Sequence, residues 1–356
     1  MSRRSFLYTN PITKDPALSL RDHCIIKVGK CWYMTGTSHP VWEGPNPGVR
    51  LLSSNDLLQW DDAGWLIEAS RLPVDCPYKG RFWAPEIHLA HGRFWLTVNS
   101  GHGSPGDSGR LMEEHRVWLF VADKVTGPYE LVSSQGLGRG FKNDATLFTD
   151  KDGRSYIYCS GGGLWQAEID LEQGRLLTVD GDFEKIISPR DAGNPEWMIG
   201  GVEGPFAIRR HGHFWLFFSA WTRGYEIGVL RAESPLGPWS LMQREPVFGV
   251  RKRAYRVKQA REGGYEDLRY EDTADPFVEV GHNTIFEGPD GRDWLCCHDL
   301  LEGREVLTTE PVLCYSDVRE QLHLEPLEFV EGRWHVRGPT WTEQIVEWDE
   351  SDDLNP

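Results

Sequence analysis

Hydrophobic and polar positions alternate along most of this chain with the two-residue period of β-strands, and glycine turns interrupt the alternation at short intervals. The stretch "GGVEGPFAIRRHGHFWLFFSA" (200–220) is representative: two strand-like runs flank Gly212, and a glutamate, Glu203, stands at the entry to the first. A carboxylate entering a core strand is costly unless it is paired or used. Four other segments share the pattern: "DHCIIKVGKCWYMTGTS" from Asp22, "EIHLAHGRFWLTVNS" from Glu86, "DATLFTDKDGRSYIYCS" from Asp144 and "HNTIFEGPDGRDWLCCH" from His282. Each opens on an ionisable residue and has an apolar residue three positions on: Ile25, Leu89, Leu147, Phe206 and Ile285. Each then turns at a glycine, Gly29, Gly92, Gly153, Gly212 or Gly291, and continues into an aromatic-rich strand. Asp152-Gly153 and Asp290-Gly291 are strong hairpin signals, because both central residues tolerate positive φ.

The segments recur about every 60 residues, as repeated strand units do in β-propellers. "DKVTGPYELV" and "ESPLGPWSLM" continue two of the copies outward, which suggests about four strands per unit. The expected fold is therefore all-β, a five-bladed β-propeller forming one catalytic domain over residues 1–356. Helical periodicity is strongest in the charged run 251–272, read as part of an insertion at about 249–281 between the fourth and fifth units. The acidic end "DESDDLNP" reads as a solvated tail.

A propeller directs the innermost strand of every blade at a common axis. Asp22, Glu86, Asp144, Glu203 and His282 are thus expected to converge on one funnel, although they are remote in sequence. Carboxylates crowded into one pocket cannot all ionise cheaply. One keeps its proton and can act as an acid, while another stays ionised and can act as a base. Glycoside hydrolysis needs such a pair.

Composition narrows the field. Asp and Glu outnumber Lys and Arg by 54 to 38, a net charge of −16, which argues against nucleic-acid or anionic-membrane partners. No apolar run approaches the ~18 residues of a membrane span. The seven cysteines form no CxxC pair, and adjacent Cys296 and Cys297 should point to opposite faces of a strand. Reduced thiols and a cytoplasmic location are expected. "MSRRSFL" imitates a twin-arginine signal but lacks the apolar stretch that should follow, so small imported oligosaccharides are the expected substrates. Most of the 16 tryptophans fit core packing. Trp83 in "RFWAPE", Trp197 and Trp221 are candidates for stacking on sugar at the rim. "GHGSPG" (101–106) matches a dinucleotide fingerprint only formally, since Pro105 and the absence of a following helix make it a loop.

Taken together, "RDHCIIKVGKCWYMTGTS", "WAPEIH", "NDATLFTDKDGRSYIY", "VEGPF" and "GHNTIFEGPDGRDW", in this order, resemble glycoside hydrolase family 43. The resemblance runs from about "YTNPI" (8–12) to "LEPLEF" (324–329). It implies an inverting five-bladed enzyme that releases α-L-arabinofuranosyl or β-D-xylosyl residues. Asp22 matches the general base, Glu203 the general acid, and Asp144 the third carboxylate that raises and orients the acid. His282 matches a residue that faces a central cation, usually calcium, so a structural calcium ion and no organic cofactor are implied. Glu86, Trp83, Trp221 and Arg304 in "EGREVL" are the substrate-binding candidates. His23 and Asn143 depart from the family pattern beside two of the carboxylates. Alternatives are a glycoside phosphorylase, another propeller glycosidase such as a galactosidase, and a non-catalytic carbohydrate-binding propeller.

Overall fold

A computed structural model describes residues 3–41, 45–101, 115–222, 225–250, 276–301 and 320–349. The chain opens with β1 (Arg3–Tyr8) and then builds five antiparallel sheets, each from one continuous stretch of sequence. The first blade contains β2 (Leu20–Val28), β3 (Cys31–Ser38), β4 (Gly48–Ser54) and β5 (Asp61–Glu68). The second contains β6 (Trp83–Ala90), β7 (Arg93–Ser100), β8 (Arg116–Ala122) and β9 (Glu130–Leu131). The third has β10 (Asn143–Thr149), β11 (Ser155–Ser160), β12 (Leu164–Asp170), β13 (Arg175–Leu176) and β14 (Glu184–Ile187). The fourth has β15 (Val202–Arg210), β16 (His213–Ala220), β17 (Tyr225–Ala232), β18 (Ser240–Leu241) and β19 (Phe248–Val250). The fifth has β20 (Phe277–Glu287), β21 (Asp293–Leu301), β22 (Gln321–Val330) and β23 (Arg333–Val336), after which β24 (Gln344–Asp349) returns to pair with β1. The molecule is the five-bladed propeller that the repeat predicts.

The core lies between the blades rather than on one side of each. Five buried clusters fill the seams: Leu96 and Phe120 meet Val49 and Leu51, Trp95 meets Ile157 and Ala167, Tyr158 meets Phe218, and Phe217 meets Leu295. The last seam joins Trp294 and Leu324 of the fifth blade to Met34 and Leu52 of the first. Inner strands are therefore buried on both faces, which explains why β7 and β16 read as nearly continuous apolar runs. Cys296 faces the fifth–first seam and Cys297 the fourth–fifth seam, on opposite faces as expected from the strand period. The β1–β24 ribbon covers the closing seam with Phe6, Tyr8 and Trp348. Phe6 meets Trp294 edge-on at a centroid distance of 5.5 Å.

The stretch expected to be inserted carries strand at both ends. Val250 closes β19, paired to Tyr225, and β20 already begins at Phe277. The charged run 251–272 lies outside the described residues. Asp349, expected at the head of a solvated tail, instead pairs with Arg3 in the terminal ribbon.

Candidate active site

Every blade carries the same irregularity in its innermost strand. Pairing slips by one residue between Arg21 and Cys24, Trp83 and Glu86, Asn143 and Thr146, Glu203 and Phe206, and Gly281 and Thr284. The first bulged residue takes a left-handed conformation: Asp22 (φ 57°), Ala84 (41°), Asp144 (52°), Gly204 (55°) and His282 (56°). A bulge re-aims side chains and twists the strand, and in three blades the bulged residue, Asp22, Asp144 or His282, lines one pocket.

This register corrects the equivalence drawn from the apolar pattern. Asp22, Asp144 and His282 occupy the same bulge position, whereas Glu203 precedes its bulge by one residue and Glu86 follows its own by two. A bulge shifts the two-residue alternation by one, but these inner strands are buried nearly throughout, so the shift is hidden in the apolar pattern. The misplacement shows in Leu89, which is 57 % exposed, while Ile87 takes the buried place. Glu86 is consequently not a pocket residue. It is buried beside His88 Nε2 (3.0 Å), and its charge acts on His282 and Cys24.

Asp22, Asp144, Glu203 and His282 line one pocket of about 370 Å³, together with Arg21, Asn143, Ser160 and an apolar wall. Trp83 belongs to that wall; its Nε1 donates to the Val41 carbonyl (2.9 Å) and its ring packs on His115. Trp221 stands at the rim, 43 % exposed, and covers Gly201, where any Cβ would meet the indole at 2.3 Å. Gly201 thus lets the Trp221 ring approach the backbone closely, while its neighbour Gly200 makes room for Thr222. Trp197, by contrast, is core: it is 1 % exposed and stacks on Phe218. Arg304 lies outside the described residues. His23 sits at the second bulge position, fully buried and away from the pocket wall, so this departure from the family pattern does not alter the wall.

The three carboxyl groups have different surroundings. Asp22 Oδ2 accepts from the Thr37 hydroxyl (2.7 Å), while Oδ1 lies 3.2 Å from His282 Nδ1 and 3.5 Å from Arg21 Nε. Burial alone would raise its pKa, but His282, Arg21, His298 and the Thr37 hydrogen bond together hold it below the usual carboxylate range. Asp144 Oδ2 accepts from the Ser160 hydroxyl (2.9 Å) and the Gly204 N–H (3.1 Å); burial, with Asp22 nearby, pushes it upward. Glu203 is raised to about 7 by burial and by Asp144, against the hydrogen bond from Tyr225 and the charges of His282 and Arg21. One carboxyl group lies below the usual carboxylate range and another is raised to about 7, and both face the same space. Burial lowers the His282 pKa, but Asp22, Asp144, Glu203 and Glu86 outweigh it and raise it overall.

Sequence reasoning missed the layer behind these groups. Arg21 is buried, with Nη2 on Glu279 Oε1 (2.6 Å) and Nη1 on Glu320 Oε1 (3.0 Å). The Asp22 N–H donates to His298 Nδ1 (3.3 Å), which leaves the His298 proton on Nε2, 3.0 Å from Glu279 Oε1. Arg21 and His298 hold Glu279 down at about 2 in spite of its burial. The available signal is "LRDH", an arginine inside a strand otherwise destined for the core. Among the described residues no three His, Cys, Asp or Glu side chains gather to hold a metal ion, so the implied calcium would meet His282 directly or through water rather than a cage of side chains. His282 would bring a single imidazole nitrogen where calcium takes six to eight oxygens. No step below runs through a metal.

Comparison with known proteins assigns the architecture to a family. The model of glycosyl hydrolases family 43 matches residues 8–334. The chain belongs to this family. Among its relatives, a β-D-galactofuranosidase of Aspergillus niger is 28 % identical over 303 residues, 79 % of this chain and 76 % of that protein. A β-xylosidase of Bacillus subtilis is 24 % identical over 84 % of this chain, which spans only half the length of that relative. A thermostable family-43 glycoside hydrolase of known structure superposes with a TM-score of 0.68 at 23 % identity, covering 95 % of this chain and 98 % of its own. This family-43 protein is therefore a glycoside hydrolase, as the sequence resemblance implied.

Proposed function

We propose that this family-43 protein is an inverting hydrolase that releases a terminal α-L-arabinofuranosyl or β-D-xylosyl residue from short plant-derived oligosaccharides. One observation carries the reading: Asp22, held ionised, and Glu203, raised to about 7, line the same pocket. In this mechanism Asp22 removes a proton from water as the oxygen attacks the anomeric carbon. Glu203 gives its proton to the departing glycosidic oxygen on the opposite face, so the C–O bond breaks as the new C–OH bond forms. Burial, with the charge of Asp144 added to it, raises Glu203 to about 7, and Asp144's own carboxylate is held by Ser160 and Gly204. Trp83 and Trp221 supply apolar faces against which a sugar can stack.

A second reading is a terminal β-D-galactofuranoside, favoured by the Aspergillus niger relative that aligns with 79 % of this chain. α-L-Arabinofuranose and β-D-galactofuranose share ring stereochemistry and differ by one hydroxymethyl extension, so a pocket shaped for one needs only added depth for the other. The test is a panel of 4-nitrophenyl α-L-arabinofuranoside, β-D-xyloside, β-D-galactofuranoside and β-D-galactopyranoside, followed by NMR of the first-formed anomer. Inverted product from one of the first two supports the proposal. Retained configuration, dependence on phosphate, or sugar binding without turnover would each overturn it.

A further inference from the structure

One side chain touches a reacting carboxyl group without lining the pocket. Tyr225, the first residue of β17, is 2 % exposed and is absent from the pocket wall, yet its hydroxyl lies 2.5 Å from Glu203 Oε1. Its ring is held on three sides. The His298 imidazole stacks on it at 5.4 Å, and the Arg21 guanidinium carbon lies 6.0 Å from its centroid. At Gly281 there is no room for a methyl group, since a Cβ would meet the phenol ring at 2.0 Å. The ring therefore cannot swing away from Glu203 without displacing the two residues that also contact Asp22.

We propose that Tyr225 is a positioning residue for the acid: its O–H donates to Glu203 Oε1, which leaves the transferable proton on Oε2, directed at the leaving oxygen. The inference rests on the reading of Glu203 as the proton donor. The step balances simply, because the phenol keeps its own proton throughout and only the Oε2 proton moves to the glycosidic oxygen. The same stack links acid to base, since His298, packed on Tyr225, accepts the Asp22 N–H. A change at Tyr225 is thus expected to disturb proton donation first and water activation less.

The charged and titratable groups facing Glu203 are Asp144 from β10, Arg21 from β2, His282 from β20 and Tyr225 from β17, with His298 of β21 behind Tyr225. Of these, Tyr225 favours the ionised form of Glu203 by its hydrogen bond, so its removal should let Glu203 keep its proton to higher pH.

The experiment compares Tyr225→Phe with the wild-type full-length protein on two glycosides of the sugar it accepts: an unactivated disaccharide and the 2,4-dinitrophenyl glycoside. Dinitrophenolate departs without a proton, so loss of acid positioning shows only where the leaving group needs one. The expected result is a kcat/KM loss at least tenfold greater on the disaccharide than on the dinitrophenyl glycoside, with the alkaline limb of the pH profile moved upward. Equal losses on both substrates, or an unmoved alkaline limb, would reduce Tyr225 to a packing residue. Gly281→Ala, which pushes the phenol from the other side, should give the same leaving-group pattern. Glu203→Gln is the reference. If it loses no more on the disaccharide than on the dinitrophenyl glycoside, the assignment of the acid fails. If it does lose more and Tyr225→Phe does not, only the present inference fails.

Discussion

At the scale of single residues, the site is a contest between burial and charge. Asp22, Asp144 and Glu203 are all withdrawn from water, and burial alone would raise all three. What separates them is who stands beside each. Arg21, His282, His298 and Thr37 outweigh burial at Asp22, whereas Glu203 has a carboxylate neighbour that adds to it. With the proposed roles, activity needs Asp22 ionised and Glu203 protonated, so it should fall as pH drops through the depressed Asp22 value and again as pH rises through about 7. A pH profile of kcat/KM checks both limbs. Asp22→Asn and Glu203→Gln preserve shape and should each lower kcat on an oligosaccharide by roughly 10³-fold. A far-UV spectrum and melting transition like those of wild type would show that the loss is chemical. The carboxylates themselves were legible in the sequence because the residue type is the chemistry. Their partners were not. Thr37, Ser160, Tyr225, Glu279 and His298 lie on other strands and matter only through packing.

At the scale of the element, the informative feature is the bulge repeated in β2, β6, β10, β15 and β20. Asp22, Asp144 and His282 accept positive φ there, a conformation costing about 1–2 kcal/mol for a residue with a Cβ. In β15 the bulge residue is Gly204, and the reason is visible. An added Cβ would lie 3.2 Å from His282 Nδ1, and the Gly204 N–H is committed to Asp144. Gly204→Ala should therefore lower kcat more than tenfold while costing only about 1–2 kcal/mol of stability, since it moves Asp144 and His282 before it disturbs the seams. Gly201→Ala acts elsewhere: it displaces the half-exposed Trp221. It should raise KM several-fold with little change in melting temperature, and steady-state kinetics beside calorimetry would distinguish the two variants. Strands, turns and repeat were readable from alternation and glycine placement. The bulges were not, because these inner strands are buried on both faces, so the one-residue shift in alternation leaves little trace in the apolar pattern, and Glu86 reads as an equivalent of Asp22.

At the scale of the whole molecule, five blades close into a ring through side-chain packing and the terminal ribbon. A buried polar cluster on the face of β22 turned toward the fourth blade ties distant parts of the chain together. His323 lies between Asp299 Oδ2 (2.9 Å) and Glu325 Oε1 (3.0 Å), all three fully buried. Glu325 also accepts from the Tyr8 hydroxyl (3.1 Å) and the Thr340 N–H (2.7 Å), while the Asn10 amide donates to the Leu324 carbonyl (2.9 Å). The N-terminal segment, the fifth blade and the approach to β24 are thus tied at one point. Burial works against a charged His323, but hydrogen bonds to the two carboxylates prevail and raise its pKa from 6.5 to about 9. The linked stability is fully present below pH 6.5, declines as pH rises through about 9, and is on the order of 3 kcal/mol. Wild type should lose melting temperature between pH 7 and 10, and His323→Gln, less stable at pH 7, should lose much less over the same range. Parallel melting curves for both proteins would contradict this account.

The sequence by itself determined the number of blades, the strand order, the family and the three carboxylates. Each of these is local, written in alternation, turn glycines and residue type within one stretch of chain. The folded arrangement was needed to show what holds Asp22 down and raises Glu203, that Glu86 lies outside the pocket wall and that Trp197 belongs to the core. It also decided which buried cations and hydroxyls support the acid and base. Those outcomes depend on distances between strands contributed by different blades and on the water that packing excludes, and neither is encoded within any single segment.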